Sequence, residues 1–143
     1  VFSANTKRNG LLGNINHFDY DIECIQITTN GVYAGTSFYR PKQKFSINGD
    51  AKILIKKSEK LDYHYLLYEL KRVFLEAEFN WQNKVSDKKL VEMQCDIPVD
   101  ENGEFDLTKQ KEIANKYNKI EKIKYQLKED YENSLNYKIQ IID

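Results

Sequence analysis

Proline is nearly absent from this 143-residue chain: only Pro41 and Pro98 occur, far apart. Polyproline structure is excluded, as is any chemistry that needs adjacent prolines. Cysteine is equally scarce. Cys24 and Cys95 have no Cys or His neighbour at ligand spacing, which excludes a zinc module; a disulfide between them would need oxidising export, so both are read as reduced core residues. Glycine is confined to the first third of the chain, apart from Gly103. There is no apolar run of membrane length and no charged-then-apolar leader, so the expectation is a cytoplasmic protein without a membrane partner.

What remains is a foldable composition. Hydrophobic residues make up 41% and aromatics 13%, enough for a packed core rather than a disordered chain. The ten Tyr suit surfaces that are half apolar and half hydrogen-bonding. Lys and Arg balance Asp and Glu at 22 each, so net charge alone does not point to a polyanionic partner. The charge is nevertheless polarised. Residues 1–57 carry eight Lys/Arg against four acids, and residues 58–105 carry six against eleven. A basic N-terminal part could meet phosphate, and a merely uneven solvated surface would give the same count.

Periodicity divides the chain. Glu23-Cys24-Ile25-Gln26-Ile27-Thr28 alternates polar and apolar, as does Lys44-Phe45-Ser46-Ile47, and Lys52-Ile53-Leu54-Ile55 is a short apolar strand. Asn-Gly and Gly-Asn pairs punctuate these runs where tight turns need positive φ. From residue 61 to 79, Tyr63, Leu66, Leu67, Leu70, Phe74 and Ala77 fall three and four apart, predicting an amphipathic helix. A polar break follows at 80–83, then a turn of helix at 85–90, a returning strand at 92–99 and a turn at 100–103. The last element is a long helix, capped by Asp106 or Thr108 and running to about Tyr137. Its apolar stripe is Ile113, Tyr117, Ile120, Leu127 and Tyr131, widened by Ile123 and Leu135 and interrupted by Lys124. Such an imperfect coiled-coil seam needs a surface to cover it: the chain's own core, a second copy or another subunit. The fold class expected is α+β: a twisted, mainly antiparallel β domain with a central amphipathic helix, then a long C-terminal coiled-coil-type helix.

Four segments, in order, resemble the specificity subunits of type I restriction–modification enzymes. Residues 1–13, with Asn9-Gly10-Leu11-Leu12-Gly13, resemble the opening strand and its glycine loop. Thr28-Thr29-Asn30-Gly31-Val32-Tyr33-Ala34-Gly35-Thr36 is similar to the glycine turn that follows. Lys44-Phe45-Ser46-Ile47 and Ala51-Lys52-Ile53-Leu54 match the strands leading to the central helix. Lys88-Lys89-Leu90, Ile97-Pro98, Phe105-Asp106-Leu107 and Gln110-Lys111-Glu112-Ile113-Ala114 resemble the passage that opens the family's spacer helix. The resemblance implies a target-recognition domain over residues 1–105 and a spacer or dimerisation helix with its tail over 106–143. It implies reading of one half of a split double-stranded DNA target, and docking of the modification (methyltransferase) subunit through the long helix. The restriction subunit would be reached through that assembly, and the helix would also self-associate. Family subunits usually carry two such domains and two helices, whereas this sequence has one of each and opens directly on the first strand. A half-length subunit, a fragment of a longer chain and a piece of a fused restriction–methylation enzyme all fit.

Base edges and phosphates call for Arg, Lys, amides and hydroxyls on short loops. The candidates for DNA contact are Asn5, Thr6, Lys7, Arg8 and Asn9 in the first loop and Thr28, Thr29, Asn30 and Tyr33 in the second. Arg40, Lys42 and Lys44 form a basic turn after Tyr39, and Trp81, Asn83 and Lys84 lie in the polar break. Each loop also has a bland explanation, since turns favour these residues for backbone reasons. The partner-helix candidates are Ile113, Tyr117, Ile120, Ile123, Leu127 and Tyr131. No catalytic residue, metal site or cofactor is expected. An amino-methyltransferase would need an Asn/Asp-Pro-Pro-Tyr/Phe motif, and both prolines are isolated. Asp62, Glu69 and Lys71 have the spelling of a nuclease site but share one helix. His17 and His64 lack ligand-spaced neighbours. The rival readings are a purely protein-interaction module and an enzyme with an unrecognised site.

Overall fold

The isoleucine-rich alternation forms β1 (Tyr20–Thr28), the middle of a three-stranded antiparallel sheet between β2 (Ser37–Phe45) and β3 (Ala51–Leu54). The computed structural model describes residues 1–4, 7–80, 82–135 and 137. Ile25 pairs with Tyr39 of β2 and Leu54 of β3, and Ile27 with Ser37 and Lys52. Arg40, Lys42 and Lys44, expected in a turn, are strand residues of β2. Pro41 fits there because the register slips between Ile22 and Cys24, whose partners are Gln43 and Arg40. It therefore lies at a bulge on an edge strand, where the missing N–H breaks no ladder bond.

Both faces of β1 are covered, and Cys24 through Thr28 are all buried despite their alternating polarity. One face, carrying Ile25 and Ile27, packs with Tyr63, Leu70 and Phe74 of α1 (Tyr63–Glu76) and with Val85. Full burial of side chains such as Leu70 or Phe74 is worth about 1.5–3 kcal/mol each. The other face, with Cys24, Gln26 and Thr28, lies under the N-terminal segment. Gln26 Nε2 donates to the Ser3 carbonyl at 2.9 Å, and Phe2 stacks edge-on against Phe45.

Helix α1 is shorter than its period suggests. Asp62 caps it by accepting from the Tyr65 amide at 2.9 Å, and Glu78 at φ 50 turns the chain away. Ser86 caps α2 (Asp87–Glu92) in the same way. The strand expected over 92–99 does not form. The Asp96 amide donates to Glu69 Oε2 (3.2 Å) and its carbonyl accepts from the Tyr65 hydroxyl (2.6 Å), so side chains replace a ladder partner. Asp106 caps α3 (Leu107–Leu135) through the Lys109 amide at 2.8 Å. At 1.5 Å per residue α3 is roughly 43 Å long.

Candidate nucleic-acid interface

Three polar loops meet at one end of the sheet. The first closes where the Ser3 amide donates to the Gly10 carbonyl (2.9 Å), leaving Lys7, Arg8 and Asn9 exposed at its tip. Arg8, Asn9 and Gly10 all have positive φ, at 50°, 53° and 81°. The second loop joins β1 to β2. Asn30 organises it by accepting from the Gly31 amide (2.9 Å) and donating to Asp50 (3.2 Å), and Val32 and Tyr33 form its exposed tip. The third follows α1. It is tied to the second by the Val85 amide, which donates to the Thr29 carbonyl at 3.2 Å. Gly35, at φ 84, permits this approach, since a Cβ there would meet Phe79 at 3.2 Å. A cleft of about 530 Å³ runs among the three, lined in part by Asn9, Ser37, Phe38, Lys71, Glu78 and Phe79.

Arg40 holds this end together from behind. The residue is 5% exposed, and its guanidinium donates to Gln26 Oε1 at 2.8 and 3.0 Å and to the Asn9 carbonyl, with Phe2 stacked at 3.7 Å. Burial pulls its pKa down to about 10, still far enough above neutrality that the group stays charged. Arg40 is thus not available to a phosphate. It fixes the backbone of the loop that carries Lys7 and Arg8, so those two residues are presented on a restrained scaffold.

The other sequence candidates divide clearly. Thr28 and Thr29 are buried and belong to the sheet and its hairpin. Asn83 is half-buried and engaged on both sides of its amide, donating to the Ala77 carbonyl (2.8 Å) and accepting from Lys89. Lys84 is exposed in the same loop. Lys42 and Lys44 are exposed, but strand rise puts Lys44 roughly 23 Å from Ser37, away from the three loops. Lys44 instead lies 4.8 Å from the Phe18 ring. Asn5, Thr6 and Trp81 lie outside the described residues. Sequence reasoning missed Lys71, whose place on the cleft wall depends on how α1 crosses the sheet and has no local signal. It also missed the exposed apolar residues Leu12, Ile15 and Phe18 ahead of β1.

Carboxylates that could be mistaken for a catalytic set have structural partners. Asp62 caps α1, and Glu69 pairs with Arg72 at 2.8 Å, which holds the guanidinium pKa up. Among the described residues no group of His, Cys, Asp or Glu could hold a metal ion. No described helix is long and apolar enough to cross a membrane.

Along α3, Gln110 and Ala114 are buried against the globular part, and Ile113 and Tyr117 are half-buried. Beyond residue 117 every described helical residue is exposed, including Ile120 at 45%, Ile123 at 60%, Leu127 at 63% and Tyr131 at 64%. Ion pairs such as Glu121–Lys124 (3.1 Å) contribute only a few tenths of a kcal/mol each, ~0.2–0.5.

A family model described as the type I restriction modification DNA specificity domain matches residues 1–137. This chain belongs to that family. The match runs through α3. The type I restriction enzyme MpnII specificity subunit of Mycoplasma pneumoniae is 37% identical over 100 residues, covering 68% of this chain and 30% of that protein. Two further proteins of the same organism, named as type I specificity subunits, are 35% and 36% identical over 100 residues. Each alignment takes in 68% of this chain, against 27% and 41% of the relatives. The chain thus spans about a quarter to two fifths of the curated relatives it matches. No solved structure matches it.

Proposed function

We propose that this chain reads one half of a split double-stranded DNA target and has no catalytic role of its own. Residues 1–105 serve as the target-recognition domain and 106–143 as the spacer helix and its tail. The observation that carries the reading is the specificity-domain match over residues 1–137, joined to three polar loops gathered at one end of the sheet. Lys7 and Arg8 meet phosphate, and Asn9, Tyr33 and the loop around Asn83 and Lys84 approach the grooves. The distal stripe of α3, Ile120, Ile123, Leu127 and Tyr131, is covered by a partner helix from the methyltransferase subunit or from a second recognition half. The restriction subunit joins through that assembly.

The test is co-expression with the modification subunit of the same system, followed by mapping of methylated positions across the host genome. A single two-part motif with fixed spacing is the expected result. Methylation that is absent, or present without any motif, contradicts the reading.

A further inference from the structure

The join between the globular part and α3 is made by a polar group where an apolar one would pack. Gln110, in the first turn of α3, is 0% exposed. Its Oε1 accepts from the Asp62 amide at 2.9 Å and its Nε2 donates to the Lys60 carbonyl at 3.0 Å. Both partners are backbone groups of the turn that enters α1. One primary amide therefore completes two hydrogen bonds with the main chain of a distant segment, as a neighbouring strand would. Glu could not supply the donor, Leu or Met could supply neither bond, and Asn is a methylene too short to span both.

Two further contacts act on the same joint. Ala114, one turn on, is 4% exposed, and its small side chain suits close approach. Tyr117 stacks on Tyr68 of α1 with ring centroids 3.4 Å apart, and their hydroxyls hydrogen-bond at 2.5 Å. Burial alone would let a helix roll on its contact surface, because apolar attraction is non-directional. Two directional bonds at one end and a ring stack two turns later leave it one orientation, and a buried polar group in low dielectric penalises any other.

We propose that Gln110 is a positioning residue that fixes the angle at which α3 leaves the globular part. The angle sets where the distal helix carries its partner, roughly 27 Å further along residues 118–135. This rests on the DNA-reading proposal: with the helix as spacer, the Gln110 bracket sets the separation of the two half-sites.

In the unmodified full chain, the Gln110 side-chain amide protons and the Asp62 backbone amide should exchange slowly with solvent, while those of exposed Gln82 and Gln94 exchange fast. Rapid exchange at Gln110 overturns the proposal without any variant having to fold. Spin labels at Lys57→Cys and Glu129→Cys, in a Cys95→Ser background, should then give one narrow distance distribution. Gln110→Met should broaden it while the globular core keeps its near-ultraviolet circular dichroism. An unchanged distribution overturns the bracket. In the assembled enzyme, Gln110→Met should relax discrimination between half-site spacings by roughly tenfold, as expected for loss of two hydrogen bonds. A broadened distance with unaltered spacing preference overturns the spacing role. If the unmodified assembly shows no sequence-dependent binding at all, the DNA reading fails while the distance and exchange results still judge the bracket.

Discussion

Along α3 the turns from Leu107 to Tyr117 and the turns from residue 118 to Leu135 repeat one apolar spacing in two different settings. The first set buries Gln110 and Ala114 against the globular part, and the second leaves Ile120, Ile123, Leu127 and Tyr131 largely in solvent among the described residues. Helical periodicity says that a face is meant to be covered. It does not say by what. A helix this long is not stabilised by propensity and a few surface ion pairs, since most helical stability in proteins comes from packing of an amphipathic face. The difference between the halves separates residues that the fold itself buries from residues that it leaves exposed. Two arginines of the globular part differ likewise: Arg40 is buried and Arg8 is exposed.

Substitutions can break this comparison. The largest effect is expected at Ala114→Asp, which forces a carboxylate into the α1–α3 contact and should cost about 3–5 kcal/mol. Leu127→Asp, on the same helix, should leave the isolated chain within about 0.5 kcal/mol of its parent, because it is a surface change. Urea denaturation of the two variants checks this, and equal losses would erase the distinction. Next, Arg40→Ala should cost about 3 kcal/mol, because it strands buried Gln26 and frees the loop at Asn9. Arg8→Ala should be nearly neutral in the same measurement.

The third effect is on association. Ile120→Asp together with Leu127→Asp should weaken capture of the modification subunit by about a hundredfold or more, with the melting temperature of the isolated chain unchanged. Sedimentation of the mixed proteins reads this directly, and undiminished capture would assign the stripe to something else. The smallest effect is chemical. Burial pushes the Cys24 thiol up to about 11 and raises the half-buried Cys95 thiol as well, so the fully buried Cys24 should label more slowly than Cys95 at pH 8. Parallel labelling rates at both positions would contradict the burial assigned to β1.

Much of the architecture was legible because its signals are local. The period of α1 and α3, the cap at Asp106 and the strand at Ile25 and Ile27 all follow from neighbouring residues, whereas the caps at Asp62 and Ser86 went unread. Failures occurred where a distant group satisfied the backbone. Residues 92–99 look like a strand, but Glu69 and Tyr65 bond to Asp96 where a strand partner would. The basic residues 40–44 read as a turn, and a bulge on an edge strand gives Pro41 a place in β2. The candidate site was legible as a set of polar loops, and the placement of each side chain was not. Composition marked Lys7, Arg8 and Asn9, but it could not distinguish a basic side chain offered to solvent from Arg40, which is turned inward onto Gln26 and Phe2. Nor could it show that Lys71 would join the cleft.

The central claim is that the loop end reads DNA when the distal helix is engaged. The most direct test is fluorescence anisotropy of the chain assembled with its modification subunit, titrated onto a duplex bearing the mapped two-part motif and onto a scrambled duplex, across a salt series. The account predicts a preference for the motif of about a thousandfold or more. It also predicts a salt slope that falls by roughly two when Lys7 and Arg8 are both replaced by Ala. Equal affinity for the two duplexes, with no change of slope in that variant, would contradict it.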